Sequence, residues 1–558
     1  MRKLLDILGR PVAVEMRQLL AYFFVLVAVS VCYNSVISNT LINAVLWSLA
    51  QAPVYFAVSY ALAASGYFLK RISKWLGVLV YLVFALYVLL AIVECYLCVF
   101  MKTGIVPMIF TFLFQTSPVE SQGFMTAFIL TKGFLIYVCS LVGFAVVSWL
   151  AITFVARRWR SAKWLGTGAV ASVLYTVVIF GISALCGCRM ATYPGTSVSR
   201  SVVSFVQYCK TMNAEKNICL DSKLPVLGYN YPDVVVVIGE AFTKYHSSLY
   251  GYEKETNPLL QRYVDQGNMY LFDDVISPYN KTHLVMKELL SMHSYDSKMD
   301  WEEYPLWTKI FMDAGYHVSF VSNQVPASQS DSYFQPYFYL YPRVQDNCFS
   351  YRNTETYRYD EELLQELDII DSLVIDVPEL TILQLNGQHI YASNNFPHDR
   401  FTHFMPEDYL SHKLNPGERE LQELADYDNA TLYNDYVVSQ IIERYKDREV
   451  VVVYLSDHGE EVHDYRLYLG RTQEAVPPRD VIRYQYEIPF MIYLTDSYKA
   501  AHPGLAERIE ASVHKRFMSD DFAHMMLGIC SIGTQWYEPE RDILDDRYNE
   551  DRERIFGY

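Results

Sequence analysis

The stretch VVVVIGEAF (234–242) decides the fold. A continuous β-branched run, entered from Pro232-Asp233, reads as a strand buried on both faces of a sheet. Comparable runs follow at 316–322, 380–385, 450–455 and 489–494. Helix-like segments lie between them, at 257–266, 285–292, 305–314, 359–370, 429–445 and 500–517. This alternation predicts an α/β layered domain. Ligands in such sheets gather outside the carboxyl ends of the strands, and Glu240, His389 and the pair Asp457-His458 all stand there.

The chain before this domain has another character. At 558 residues the protein is too long for one ordinary domain, and its mean hydropathy of +0.07 averages two unlike halves. Residues 1–200 hold 15 Lys+Arg against 4 Asp+Glu, which leaves 31 basic and 58 acidic residues for the remainder. Five stretches have the ~20 apolar residues that a bilayer crossing needs: 18–37, 41–66, 75–99, 124–155 and 164–187. Basic clusters at Arg2/Lys3/Arg10/Arg17, Lys70-Arg71/Lys74 and Arg157-Arg158/Arg160/Lys163 fall on one side of such a bundle. The positive-inside rule makes that side cytoplasmic, so a fifth crossing leaves residues from ~190 onward outside, in a bacterium the periplasm. The strongly acidic second half excludes a nucleic-acid partner, because phosphate backbones are bound by basic surfaces. Cys209, Cys219, Cys348 and Cys530 would face an oxidising compartment and allow a disulfide without indicating one.

Within the outer half, Ser456-Asp457-His458-Gly459-Glu460 closes the run VVVYLS, placing oxygen and nitrogen donors together at a strand end. Zinc takes such mixed ligands; a solvated loop is the plain alternative. Glu240 reads either as a ligand or as a first-turn acid favoured by a helix dipole. Thr282, in SPYNKTH (277–283) ahead of LVMKELLSM, reads as a helix N-cap. It is also placed as a nucleophile, since free N–H groups at a helix start attract a phosphoryl group. Thr116 and Glu120, four apart in the loop between spans three and four, share a helix face. That loop is either an interfacial helix or one wall of a lipid headgroup site.

These strings together resemble the membrane-bound phosphoethanolamine transferases of the alkaline phosphatase/sulfatase superfamily, the group containing the lipid A-modifying and mobile colistin-resistance enzymes. IGEAFTKYHSSLYGYEKETNP (238–258) is similar to the family pattern G-E-S-x-R-x-x-x-x-S-x-Y-G-Y-x-R-x-T-x-P. Ser277 and Thr282 reproduce the five-residue interval of S-C-G-T-A-T, and YLSDHGE completes the match. The resemblance implies a five-span α-helical transmembrane domain (1–189, with a periplasmic loop 100–123), a linker and bridging helix (190–228), and a periplasmic α/β alkaline phosphatase-like domain (229–558). The last would have a central mixed sheet between helical layers. It implies a catalytic zinc held by Glu240, Thr282, Asp457 and His458, with Thr282 as nucleophile and a second metal left open. Substrate contacts would come from His389, Thr116, Glu120, Asn280 and Lys244. The implied substrates are a phosphatidylethanolamine donor and a lipid A or lipopolysaccharide acceptor, handled by a monomer in the inner membrane among its lipids. Adding an amine there lowers negative surface charge and the attraction of cationic peptides such as polymyxin.

Two departures stand out. The cysteine preceding the family nucleophile is Pro278 here, and its disulfide partner is also missing. The histidine of the family's L-Y-L-H-G-T is replaced at Gly470 in LYLGRT, leaving His463 or Arg471 to take a second metal or a phosphate. The alternative functions are a glycerol-phosphate transferase of the lipoteichoic acid synthase type and a membrane sensor that kept the fold without the chemistry. Sulfatase chemistry needs C/S-x-P-x-R, which does not surround Thr282.

Overall fold

A computed structural model describes residues 2–37, 41–100, 132–158, 162–186, 196–222, 225–227, 232–327, 337–373, 376–389, 391–471 and 479–557. The chain divides into two compact units, Met1–Lys210 and Thr211–Tyr558, the division falling inside the helix Thr196–Lys216. Thr116 and Glu120 lie outside the described residues.

The first unit is helical. Among the described residues, three helices are long and apolar enough to cross a membrane: Val45–Ile72, Lys74–Leu97 and Lys132–Arg158. The segments Lys3–Val14 and Met16–Cys32 make a fourth if counted as one span bent by 81°. The expected fifth span falls in the helix Ala162–Cys186, 25 residues long. Among the described residues, three or four spans are counted by length and composition, against the five expected. Its hydropathy did not reveal the helix Arg2–Val14, which carries polar residues and an internal proline.

The second unit is built on a seven-stranded sheet. Its strands are β1 (Asp233–Gly239), β2 (Met269–Phe272), β3 (His317–Ser322), β4 (Tyr351–Arg352), β5 (Glu379–Gln384), β6 (Val450–Ser456) and β7 (Phe490–Leu494). They lie in the order β2-β7-β6-β1-β5-β3-β4, and β7 runs antiparallel to both neighbours, so the sheet is mixed. Central β1 shows why the opening sequence decides the fold. Val234, Val236 and Ile238 enter the core on one face, while Val235 and Val237 enter the other. With period two, only an unbroken apolar run serves two cores at once. The five central strands start and end within a residue or two of their apolar runs. The edge strands β2 and β4 carry no such run and were not legible.

Two helices matter for the site: α1 (Thr282–Leu289) and α2 (Glu418–Tyr445). The second starts eleven residues earlier than its apolar pattern, as a charged first part extends the helix. The single helix expected over 500–517 is instead Asp496–Ala501, Pro503–Glu510 and a short strand at Phe517–Met518. Pro503 ends one helix and starts the next, lacking the N–H that would continue it.

Gly239 joins the core to the site. A Cβ there would lie 2.3 Å from the hydroxyl of buried Tyr454, which donates to Asn434 Oδ1 at 3.0 Å. Gly239→Ala is expected to destabilise the unit by about 1–3 kcal/mol, the usual cost of overpacking. Thermal unfolding of the purified chain reads this directly; an unchanged Tm would contradict the packing described.

Candidate metal centre

Three strand ends and one helix start build the centre. β1 ends into Glu240, β6 into Asp457-His458, β5 into the turn Asn386–His389, and α1 begins at Thr282. Lys281, in extended conformation, holds the cap position of α1 and makes no side-chain cap. Thr282 is therefore the first helical residue rather than the cap, and its hydroxyl is free to face the acids. It donates to Glu240 Oε2 at 3.1 Å, with Oε1 at 3.3 Å and His458 Nε2 also at 3.3 Å.

The imidazole is oriented by its other nitrogen. His458 Nδ1 lies 2.9 Å from the Gly459 carbonyl, which can only accept, so Nδ1 carries the proton and Nε2 presents a lone pair. Around Nε2 stand Asp457 Oδ2 at 3.2 Å and Glu240 Oε1 at 3.3 Å. Asp457 Oδ1 is satisfied by the N–H groups of Ala241 and His458, at 3.0 and 2.7 Å. Its Oδ2 is buried with no hydrogen-bond partner. To reach Asp457, Ala241 takes a φ of +56°, a left-handed conformation unusual for alanine. Such strain persists only where surrounding contacts enforce it. Here the Tyr427 hydroxyl binds the Ala241 carbonyl at 2.6 Å, and Ser456 Oγ accepts from Phe242 N at 2.9 Å.

Two carboxylates in one dry pocket repel each other unless a cation joins them. Burial pushes Glu240 upward, but His458, with His389 and Arg471, outweighs it and holds this carboxyl well below its usual range. Asp457 moves the other way, driven up by burial and then by the charge of Glu240. Burial, helped by Arg471, takes His458 down to about 4, keeping a neutral ring. Glu240, Asp457 and His458 each present a donor atom within 4.8 Å of the others. With Thr282 Oγ they make an O, O, N, O set of the kind zinc takes tetrahedrally. The unpaired Oδ2 and the repelling acids fit a divalent cation.

The remaining expected residues are divided. Arg471 reaches the centre: its Nη1 donates to His458 Nε2, also approaches the Asn280 carbonyl at 3.4 Å, and its Nε pairs with buried Glu460 at 3.2 Å. His463 does not; its Nε2 binds Glu423 at 2.8 Å. Lys244 pairs with Glu487 at 2.8 Å and the Asp273 carbonyl at 2.9 Å rather than with the cluster. Asn280 donates to Gln485 at 3.1 Å, bracing the loop before Thr282. His389 lies near enough to Glu240 and Glu460 to favour their charged forms.

Three contributors escaped the sequence reading. Gln324 donates to Glu240 Oε2 at 3.0 Å from just beyond β3; the strand-end rule, applied to that strand, would have found it. Buried Asp360 gathers the N–H groups of Asn386 and Gly387, both at 2.9 Å, and so shapes the His389 turn. No local pattern marks it. Lys281 is buried beside Thr282, its ammonium brought down to about 7 by burial and then by Arg471.

The sulfatase family model matches residues 232–532, more than half of the chain. The chain belongs to the sulfatase family. Among curated relatives, phosphoethanolamine transferase EptC of Escherichia coli strain RS218 is 26% identical over 365 residues, covering 62% of this chain and 61% of that protein. The chain thus spans about three-fifths of the length of that relative. The solved C-terminal periplasmic domain of EptC from Escherichia coli is 25% identical with a TM-score of 0.52, covering 60% of this chain and 94% of the domain. Its complex with zinc scores 0.50 at 24% identity, with the same coverage. The integral membrane lipooligosaccharide phosphoethanolamine transferase A of Neisseria meningitidis matches over 94% of this chain and 98% of its own, with a TM-score of 0.64. At 19% identity it shows the shared fold, helical half included.

A second buried polar group ties this sulfatase-family site to its scaffold. His246 sits between Asp428 of α2 (Nδ1 to Oδ1, 2.5 Å) and Asp464 (Nε2 to Oδ1, 3.4 Å). Burial lowers its pKa, but Asp428 and then Asp464 outweigh burial and hold it up to about 10. A folded pKa above the unfolded value of about 6.5 means the stabilisation is complete below that pH and is lost as pH rises through about 10. The contribution is of order a few kcal/mol. Tm is expected to fall between pH 7 and 10, and His246→Ala to lower Tm at pH 7 and flatten that slope. An equal slope in the variant would contradict the assignment.

Proposed function

We propose that this chain is a zinc-dependent phosphoethanolamine transferase of the bacterial inner membrane, crossing it five times with the catalytic unit in the periplasm. The observation that carries the reading is the convergence of Thr282 Oγ on Glu240 and His458, beside Asp457, within 3.1–3.3 Å. The names of its relatives and the zinc complex of the Escherichia coli domain support it.

Zinc held by Glu240, Asp457, His458 and Thr282 would supply the Lewis acidity that makes a threonine oxygen nucleophilic near neutral pH. Thr282 Oγ attacks the phosphorus of phosphatidylethanolamine, forming its P–O bond as the bond to the diacylglycerol oxygen breaks. The proton that Thr282 Oγ gives up is balanced by the one the departing oxygen takes, so diacylglycerol leaves with phosphoethanolaminyl-threonine behind. A lipid A or lipopolysaccharide-core oxygen then attacks that phosphorus, and Thr282 is regenerated. Most catalysis of phosphoryl transfer is positioning and stabilisation of equatorial oxygens. Arg471 and Lys281 supply positive charge for those oxygens in a dry pocket, while His389, Asn280, Thr116 and Glu120 are assigned to the substrates. The chain works as a monomer, meeting donor and acceptor as neighbours in one bilayer, which raises their effective concentration.

The test is lipid mass spectrometry of a host lacking similar enzymes, with and without the chain. A phosphoethanolamine adduct on lipid A or core is expected. Its absence from every glycan and lipid, with zinc-loaded protein present, would overturn the reading.

A further inference from the structure

The loop carrying Thr282 is gripped from two sides, and one grip comes from a segment more than 270 residues away. On one side Ser277 N donates to the Tyr486 carbonyl at 2.8 Å, and Asn280 meets Gln485. On the other, Tyr279 forms an isolated parallel bridge with Gly557, whose N–H donates to the Pro278 carbonyl at 2.7 Å. Tyr486 joins both grips: its hydroxyl donates to the Gly557 carbonyl at 2.7 Å, and its ring meets Phe556 edge-on at 5.4 Å.

We propose that Arg552–Gly557 is a strap that positions the nucleophile, with Gly557 as a positioning residue acting through Pro278 and Tyr279. Pro278 cannot donate a backbone hydrogen bond, so its carbonyl is the main-chain group there that can be tied, and Gly557 ties it. The strap is anchored at its far end. Arg552 reaches Asp520 and Asp521 at 2.5 Å each and Asp296 at 2.9 Å, and both of the first two acids are buried. Arg554 pairs with Asp274, three residues before Ser277, at 2.6 Å. Only glycine fits at 557. A Cβ there would stand 2.3 Å from two carbons of the Tyr279 ring. The strap thus does for this chain what a covalent tie could do for a loop that has no cysteine. Since a nucleophile displaced by about 1 Å can lose ~100-fold in rate, the tie bears on turnover more than on binding.

The proposal rests on the transfer reading only for its kinetic arm; its structural arm needs no substrate. In the full chain in detergent, Gly557→Ala is expected to speed amide exchange across residues 279–283 by about tenfold or more, leaving β1 and β6 protected. With a fluorescent phosphatidylethanolamine as donor, kcat is expected to fall about tenfold while KM stays within about twofold, with zinc content unchanged. Gly557→Ala/Tyr279→Ala, which removes the ring that the new methyl meets, is expected to regain most of the loss relative to Tyr279→Ala. If Gly557→Ala fails to fold, Arg552→Gln, remote from the loop, is expected to speed the same exchange to a smaller degree. Unaltered exchange in whichever variants fold would overturn the strap. Inactivity of the wild-type chain on the donor would overturn the transfer reading and leave the exchange result to decide the strap.

Discussion

Thr282→Ala is expected to abolish transfer while leaving zinc bound. Among the described residues at the centre, the hydroxyl is the one side-chain oxygen that is neither a carboxylate nor hydrogen-bonded away from the acids; it faces Glu240 and His458 at 3.1–3.3 Å. Without it the phosphoryl group has no enzyme-borne acceptor. Loss of a nucleophile commonly costs several powers of ten in kcat, so a fall of at least ~10³ is expected. Glu240, Asp457 and His458 remain, and three protein ligands suffice in catalytic zinc sites. Turnover of a fluorescent phosphatidylethanolamine, with metal analysis of the same sample, separates the two properties. A variant retaining a tenth of wild-type turnover would remove Thr282 from the mechanism. Thr282→Ser keeps the oxygen and is expected to keep measurable activity.

Asp457→Asn is expected to act with opposite signs in the metal-free and zinc-loaded protein. The amide can still accept at Oδ1 from Ala241 and His458, so the turn is preserved. It removes a buried charge that lies in the same pocket as Glu240, a repulsion that drives Asp457 upward. Metal-free Asp457→Asn is therefore expected to melt higher than metal-free wild type. With zinc the order reverses, because the variant loses an anionic ligand. Zinc at about 1,000 times its Kd stabilises a folded state by about 4 kcal/mol, and the variant forfeits most of that. Chelation should lower the Tm of wild type and barely move the variant. Equal shifts on chelation would mean that the metal binds elsewhere.

The legible parts of the second unit share one property: each is local in sequence. Period-two burial wrote β1, β3, β5, β6 and β7 as apolar runs, because a strand between two cores must be apolar on both faces. The four residues that converge were marked by position, three at strand ends and one at a helix start. Segments whose conformation depends on neighbours were less clear. The edge strands lack a full apolar run, and 500–517 has a helical composition but is broken by Pro503. The first unit followed hydropathy: among the described residues three of the five apolar stretches are helices long and apolar enough to cross a membrane, and a bent pair is a candidate fourth.

Composition also left a choice between His463 and Arg471, eight residues apart and equally able to replace a missing histidine. The hairpin Glu461–Val462/Leu469–Gly470 settles where they go. It turns His463 toward Glu423 of α2 and brings Arg471 back to His458 and Glu460. Asp360 and Gly557 were hidden for the same reason: their partners lie tens to hundreds of residues away.

The order of apolar and polar residues by itself determined a membrane half, a two-faced sheet, and which acids, imidazole and hydroxyl stand at its rim. Folding in three dimensions alone decided which of those groups share a pocket, that the Arg471 side chain stands beside them, and what keeps the threonine loop still. The physical reason is range. Burial periodicity acts between residues two to four apart, whereas repulsion between Glu240 and Asp457, and the contact of Gly557 with Pro278, exist only once distant strands have been brought within bonding distance.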